Sequence, residues 1–285
     1  MKQQSGCKRI AALTMVRNDD FFLRRWVAYY SEQLGASNLY VFFDGTDQVP
    51  PECCAGVNVA FKEHEAADVH RGDRIRIDHL SGKAAELFAA GYDMVIGTDV
   101  DEFLIVDPVR GVGLAEFLSA LEGPYVSFSG LGIDVGQNLN VEKAVDDSLP
   151  LLGQRRFAKL STRYSKATVL REPRQWGSGF HRVRGCNFHI VKDLYLFHFG
   201  CVDLGRIKAR MSGGELVDDG WSRHLAKRAG TIRLVSRRRA GRWSMLTPAA
   251  RRVQNVIRPP YAWNKPAMFE ARLVVEIPER FKGIV

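Results

Sequence analysis

Residues 93–104 read DMVIGTDVDEFL: Asp93, the apolar run Met94-Val95-Ile96-Gly97, then Thr98-Asp99-Val100-Asp101-Glu102-Phe103-Leu104. A short apolar run that ends in turn-forming and acidic residues reads as a buried strand. In an extended segment residues i and i+2 face the same side. Asp99 and Asp101 are therefore expected to share one divalent cation. Ligands that are all oxygen suit Mg2+ or Mn2+ better than zinc. Asp-x-Asp alone is a common surface tripeptide; its place at the end of a buried strand gives it meaning.

The residues on either side support a strand-and-helix alternation. Upstream, Lys8 to Val16 reads as a buried strand, and Asn18-Asp19-Asp20 as a turn with a helix N-cap. Phe22, Trp26, Val27, Tyr30 and Leu34 recur at helical spacing up to Gly35, a C′ glycine. Asn38 to Phe43 is a second buried strand, stopped by Asp44-Gly45. Val57 to Phe61 is a candidate third strand, and Ile75 to Ala90 a helix. Downstream, Leu114 to Leu121 reads as a short helix and Tyr125 to Ser129 as a strand. This order predicts an α/β fold with a mostly parallel sheet flanked by helices, whose ligands bind at the carboxyl ends of the strands. Asp44, Asp99 and Asp101 all follow predicted strands.

Beyond Leu131 the pattern weakens. Gly132, Gly136 and Gly153 suggest long loops, Tyr195 to Phe199 a late strand containing His198, and the chain after Gly205 a basic, mostly helical segment. Two units are expected: a catalytic domain over 8–215 and a helical extension over 216–285.

Composition narrows the class. The 285 residues are 46% hydrophobic and 26% charged, enough apolar material for a large core and ordinary for a globular protein. No run is long and apolar enough for a membrane-spanning helix, and the polar start followed by Arg17-Asn18-Asp19-Asp20 does not read as a signal peptide. A cytoplasmic protein is expected, with the basic C-terminal segment as its point of contact with any membrane surface. The cysteines Cys7, Cys53, Cys54, Cys186 and Cys201 are scattered, without a zinc-type spacing, and read as reduced structural thiols. The net charge of +9 is concentrated between Arg206 and Arg258, including Arg237-Arg238-Arg239 and Arg251-Arg252. Such a segment is either a solvated helical face or an anion-binding patch. Phosphate loops of the GxxxxGK[ST] type, GxGxxG after the first strand and the GxSxG nucleophile elbow are all absent from the sequence.

Several stretches together resemble the GT-A glycosyltransferases, in particular the family 2-like group whose metal motif reads D-x-D-E-F. Thr14-Met15-Val16-Arg17-Asn18-Asp19 with the following Trp26 and Tyr29-Tyr30 is similar to their first β-α unit. Leu39 to Gly45 is similar to their second strand, and Thr98 to Leu104 to the metal motif. Phe157-Ala158-Lys159 with Gly179-Phe180-His181, and Leu196-Phe197-His198-Phe199, resemble later lysine and histidine elements, although Phe199 stands where tyrosine is usual. The resemblance covers roughly residues 9 to 215.

This resemblance implies transfer of a sugar from a UDP- or GDP-linked donor to a glycan or lipid-linked acceptor, with Mn2+ or Mg2+ and inversion by a single displacement. It implies that Asp101 ligates the metal, Asp99 the metal or the donor ribose, and His198 completes the metal sphere, with His181 as the second candidate. Asp44 would bind the nucleotide, Arg17 and Lys159 would lie at the donor, and Glu102 would orient the site. Inversion needs a general base; Asp134, after a strand and a glycine-rich turn, is the first candidate, with Asp146 and Asp147 as alternatives. Trp176, in Trp176-Gly177-Ser178-Gly179-Phe180, is expected to stack on an acceptor sugar near His181, unless it is a packed loop residue. Nucleic acid is not an expected partner. Binding of nucleic acid or acidic glycan through the basic segment, and a metal-dependent phosphohydrolase or nucleotidyltransferase, are the competing readings.

Overall fold

The computed structural model describes residues 8–65, 68–212, 221–257 and 272–285. Cys7, Arg258 and the expected boundary at 215/216 lie outside the described residues. The protein is α/β, with a mixed ten-stranded sheet flanked by helices. The first part alternates as β1 (Ile10–Val16), α1 (Asp20–Leu34), β2 (Leu39–Asp44), β3 (Asn58–Lys62), α2 (Val69–Ala89) and β4 (Met94–Gly97). These strands pair in parallel in the order β3-β2-β1-β4. The chain leaves β1 in one direction to build β2 and β3, then crosses back to place β4 on β1's other side. That reversal is a switch point, the position at which open α/β sheets bind ligands, outside the carboxyl ends of the strands.

The rest of the sheet is built differently. It contains β5 (Glu102–Val106), β6 (Ser127–Gly136), β7 (Phe157–Leu160), β8 (Val169–Leu170) and β9 (His189–Cys201), with α3 (Leu114–Ser119) and α4 (Leu151–Gln154) between them. β8 joins β4 to β6 by antiparallel pairing on both sides. β9 lies between β6, to which it is parallel, and β5, to which it is antiparallel. The sheet is thus mixed and largely parallel at its centre, with β3-β2-β1-β4 all parallel and the antiparallel pairs formed by β8, β7 and β5. After β9 come α5 (Leu204–Ser212), α6 (Trp221–Arg237), α7 (Trp243–Val256) and β10 (Val274–Glu276). β10 pairs with β7 at the sheet edge. The C-terminal elements therefore pack on the same sheet and contribute a strand to it, which the helical reading of 216–285 did not include.

The local reasons are visible in the side chains. Asp19 caps α1 by accepting from the Phe22 amide, and Gly35 ends it at φ 84°, in the left-handed region that glycine tolerates. The buried aromatic residues of α1 keep their polar tips satisfied. Trp26 Nε1 donates to Thr98 Oγ1 at 2.9 Å, Tyr29 donates to the Leu104 carbonyl at 2.8 Å, and Tyr30 accepts from the Leu104 amide at 2.9 Å. The helix thereby fixes both ends of the stretch 98–104.

The glycines read as loop signals are mostly close approaches inside strands. Gly132 and Gly136 lie within β6, all of whose residues are buried. A Cβ on Gly132 would stand 2.3 Å from the Ser161 carbonyl oxygen, and one on Gly130 2.5 Å from the Leu196 amide nitrogen. Asp134 consequently sits in the middle of a buried strand rather than after a turn. None of the described cysteines Cys53, Cys54, Cys186 and Cys201 is in a disulfide, and no described helix is long and apolar enough to cross a membrane.

Candidate metal and anion site

The acidic motif occupies a turn between two strands. Glu102 N–H donates to the Asp99 carbonyl at 3.0 Å, closing a β-turn over Val100 and Asp101 between β4 and β5. Asp99, Asp101 and Glu102 bring ligand atoms within 4.8 Å of one another. Their convergence comes from the turn, not from the strand alternation expected for i and i+2.

Asp99 is already engaged. Arg76, from α2, pairs with its Oδ1, and Lys166 Nζ lies 2.8 Å from its Oδ2. Arg76 also meets Asp73 at 2.7 Å, and Lys166 contacts Glu102 Oε1 at 2.5 Å. Burial opposes ionisation of Asp99, but Arg76 and then Lys166 hold its carboxyl well below the usual range. Glu102 is fully enclosed; burial, with Asp99 behind it, pushes its carboxyl up to about 7 despite Lys166. The structure thus places Glu102 beneath the turn, where it also accepts from the Asp99 amide at 3.3 Å. Both cations were invisible to sequence reasoning. Arg76 sits one turn after Asp73 on a helix, an ordinary surface pattern, and Lys166 lies in a stretch without periodicity.

Asp101 faces a different partner. Its Oδ2 lies 3.4 Å from His198 Nε2, and His198 Nδ1 lies 2.7 Å from Asp134 Oδ1. The second Asp134 oxygen accepts from the Thr231 hydroxyl of α6 at 2.5 Å. Tyr164 stacks on the imidazole with centroids 3.7 Å apart and planes 14° from parallel. Burial would depress the histidine pKa, but Asp101 and Asp134 on either side raise it to about 9. Strand register makes this grouping: β5 pairs Glu102 with His198, β6 pairs Asp134 with His198, and β7 pairs Lys159 with Asp134. Glu102, His198, Asp134 and Lys159 form one transverse row across β5, β9, β6 and β7.

The residues fit a divalent cation, which would take the place of the proton between His198 Nε2 and Asp101. Two adjacent ligands of an octahedral ion with bonds of about 2.1 Å stand about 3 Å apart, close to the separation of Asp101 Oδ2 and His198 Nε2. That nitrogen is buried and makes no hydrogen bond. With Nδ1 committed to Asp134, the imidazole is oriented as metal-binding histidines usually are, by a carboxylate behind them. A second group, Asp134, His198 and Cys201, also brings ligand atoms within 4.8 Å, and within it Asp134 already meets His198 Nδ1 at 2.7 Å.

The remaining expected site residues are distributed as follows. Arg17 follows β1 and Asp44 ends β2, both at the carboxyl edge. Arg17 donates to the Asp44 carbonyl at 2.6 Å and pairs with Asp47 at 3.1 Å, so it staples the β2 loop. The Asp44 carboxylate meets His64 Nδ1 at 3.0 Å. His181 is half-buried; burial, then Lys166, drives its pKa down to about 3. It lies outside both candidate metal groups. Trp176 is not a stacking platform. Its indole is 2% exposed, its Nε1 donates to the Ala167 carbonyl at 2.7 Å, and the ring closes over Gly97, where a Cβ would stand 2.9 Å from it. Asp146 and Asp147 are surface residues that cap Ser148 and pair with Arg206, which makes both poor candidates for the base.

Beside the row lies a cavity of about 550 Å3 walled by Asp134, Lys159, Ser161, Arg163, Tyr164 and one face of α6. Compared with known proteins, the chain matches no protein-family model and no curated sequence. The functional reading therefore rests on the fold and these side chains.

Proposed function

We propose that the protein is a metal-dependent glycosyltransferase that uses a nucleotide diphosphate sugar, UDP- or GDP-linked. The observation that carries this reading is the buried His198 Nε2 facing Asp101 beside the switch point of a parallel half-sheet. A carboxylate and an oriented imidazole at the carboxyl edge of such a sheet suit an ion that bridges a diphosphate.

Asp101 and His198 would hold the Mn2+ or Mg2+, which as a Lewis acid stabilises the charge that builds on the departing diphosphate. Asp99 is pre-oriented by Arg76 and Lys166, so it is placed to accept hydrogen bonds from a donor sugar or ribose rather than to ligate the ion. Arg76 and Lys166 supply fixed positive charge beside the same phosphates. Asp134 serves His198 first, fixing its tautomer and ring angle. To take a proton from an acceptor hydroxyl, its Oδ2 must exchange the Thr231 hydroxyl for the substrate's. The residue has a wall of the cavity to itself for that exchange, since it is the carboxylate among the lining residues.

Calorimetric titration of UDP, GDP and their sugar conjugates, with and without Mn2+, tests the reading on the wild type and Asp101→Ala. Metal-dependent binding lost in Asp101→Ala is the expected result, and it identifies the donor base. No metal-dependent binding of any nucleotide would sink the proposal. Release of free sugar phosphate without transfer would favour a phosphohydrolase.

A further inference from the structure

The cavity beside Asp134 is strongly cationic. Lys159 and Arg163 rise from the β7 region, Arg272 precedes β10, and Arg233, Arg237 and Arg238 come from the end of α6 and the residue after it. Arg233 and Arg237 are four residues apart on α6, a spacing that places them on one helix face, and Arg238 follows the end of the helix. Among the described residues no carboxylate pairs with Arg163, Arg233, Arg237, Arg238 or Arg272. Asp134 is the carboxylate among the lining residues, and its two oxygens meet His198 and Thr231, so one negative charge faces several positive ones. Burial, with Arg163 and Arg272 behind it, lowers the Lys159 pKa against the pull of Asp134. Like charges gathered around one open-sided cavity repel one another, and an anion seated among them relieves the repulsion.

We infer that this cavity is the acceptor subsite of the proposed transferase and that it takes an acceptor carrying a phosphate group. The assignment rests on the transferase reading above. Phosphate is favoured over carboxylate by the donors present. A guanidinium offers a planar fork that matches phosphate oxygens bidentately, and a phosphate monoester brings nearly two charges and three acceptor oxygens. A single carboxylate would leave most of the forks unanswered. The volume, about 550 Å3, lies in the range of small-molecule sites and accommodates a phosphorylated sugar unit. The position fits an acceptor: one imidazole separates the cavity from the proposed ion, since His198 Nδ1 faces Asp134 and Nε2 faces Asp101. A sugar anchored by its phosphate on the arginines presents its hydroxyls to Asp134.

The test uses the full chain. Binding of hexose phosphates and of the uncharged hexose and its uronate is measured by calorimetry, alongside flotation with vesicles containing phosphatidic acid or only neutral lipid. The cavity variant is Arg233→Ala/Arg237→Ala, and Arg239→Ala/Arg252→Ala removes equal charge elsewhere. Hexose phosphate should bind more tightly than uronate, and the cavity variant should weaken it by about tenfold or more through loss of charge-assisted hydrogen bonds. The control variant should bind as wild type. Binding seen only on phosphatidic acid vesicles, with the same dependence on variant, upholds the assignment with a lipid-borne phosphate. Equal weakening in both variants, or no preference for phosphate, overturns it. Metal-dependent nucleotide binding is measured on the same variants. If the cavity variant loses it, the cavity holds the donor and the acceptor assignment falls while the transferase reading stands. If no variant binds nucleotide but phosphate binds, the transferase reading falls and takes the acceptor role with it.

Discussion

Two charged regions lie side by side in this protein, and they are opposites in how their charges are answered. At the β4–β5 turn Asp99 and Glu102 are met by Arg76 and Lys166, in contacts that are largely enclosed. Around the cavity the guanidiniums of Arg163, Arg233, Arg237, Arg238 and Arg272 have no ionic partners among the described residues. A buried charge without a partner is costly, whereas one at a solvent-filled wall is not. The first region therefore holds the fold as well as the site, and the second is arranged for something that arrives from outside.

Lys166→Ala should give the largest effect. It leaves the buried Glu102 and the half-buried Asp99 with one cation fewer, and loss of one partner of a buried pair costs roughly 3–5 kcal/mol. Urea unfolding measures it; a loss below about 1 kcal/mol would mean that the turn is far better solvated than its burial indicates. Next, Asp134→Asn should keep the fold but weaken Mn2+ binding by roughly 10–100-fold, the usual effect of losing a carboxylate behind a ligating histidine. Unchanged affinity in a metal titration would place the ion elsewhere.

The histidine beside the acidic cluster gives a pH test. His181 stays neutral in the folded chain down to about 3, against 6.5 ordinarily. Between those values the unfolded chain binds the extra proton, so stability falls as pH falls through the window. One proton sets an upper slope of about 1.4 kcal/mol per pH unit, less for a half-buried ring. His181→Asn should flatten the curve in denaturant titrations from neutral to acid pH, and parallel curves for the two proteins would remove His181 from this account. The smallest effect is expected at Arg237→Ala/Arg238→Ala, which should leave stability within about 0.5 kcal/mol of wild type, as for exposed surface positions. A large loss there would show that the cavity arginines brace the fold after all.

The same contrast explains what could be read from the chain. β1, α1, β2, α2 and β4 carry their own periodicity and caps, so their order and the place of Asp99 and Asp101 were legible. β6 was legible only at its start, where Tyr125 to Ser129 reads as a strand, because Gly132 and Gly136 further on look like loop signals in a string of letters. Only the neighbouring backbone at Ser161 shows why Gly132 excludes a side chain. The second cluster was half legible: His198 and Asp134 stood out as residues, but their meeting depends on the register of β9 against β6. Lys166, Tyr164 and Thr231 left no local trace, since each acts through a partner distant in sequence. Trp176 looked like a sugar platform for the same reason, its true neighbour Gly97 being far along the chain.

The insertion of β9 between β5 and β6 has a consequence in time. The acidic turn is complete once β5 exists, yet its histidine arrives on the second-last strand of the sheet. Contacts between segments so far apart in sequence form late and slowly. A growing or partly refolded chain therefore carries the parallel half-sheet and its aspartates before it carries a place for the proposed ion. Until β9 is seated, β5 and β6 each present an open edge, the state in which strands find wrong partners. Metal added during refolding should act after that docking step, as a lock on the finished sheet rather than as a seed for it.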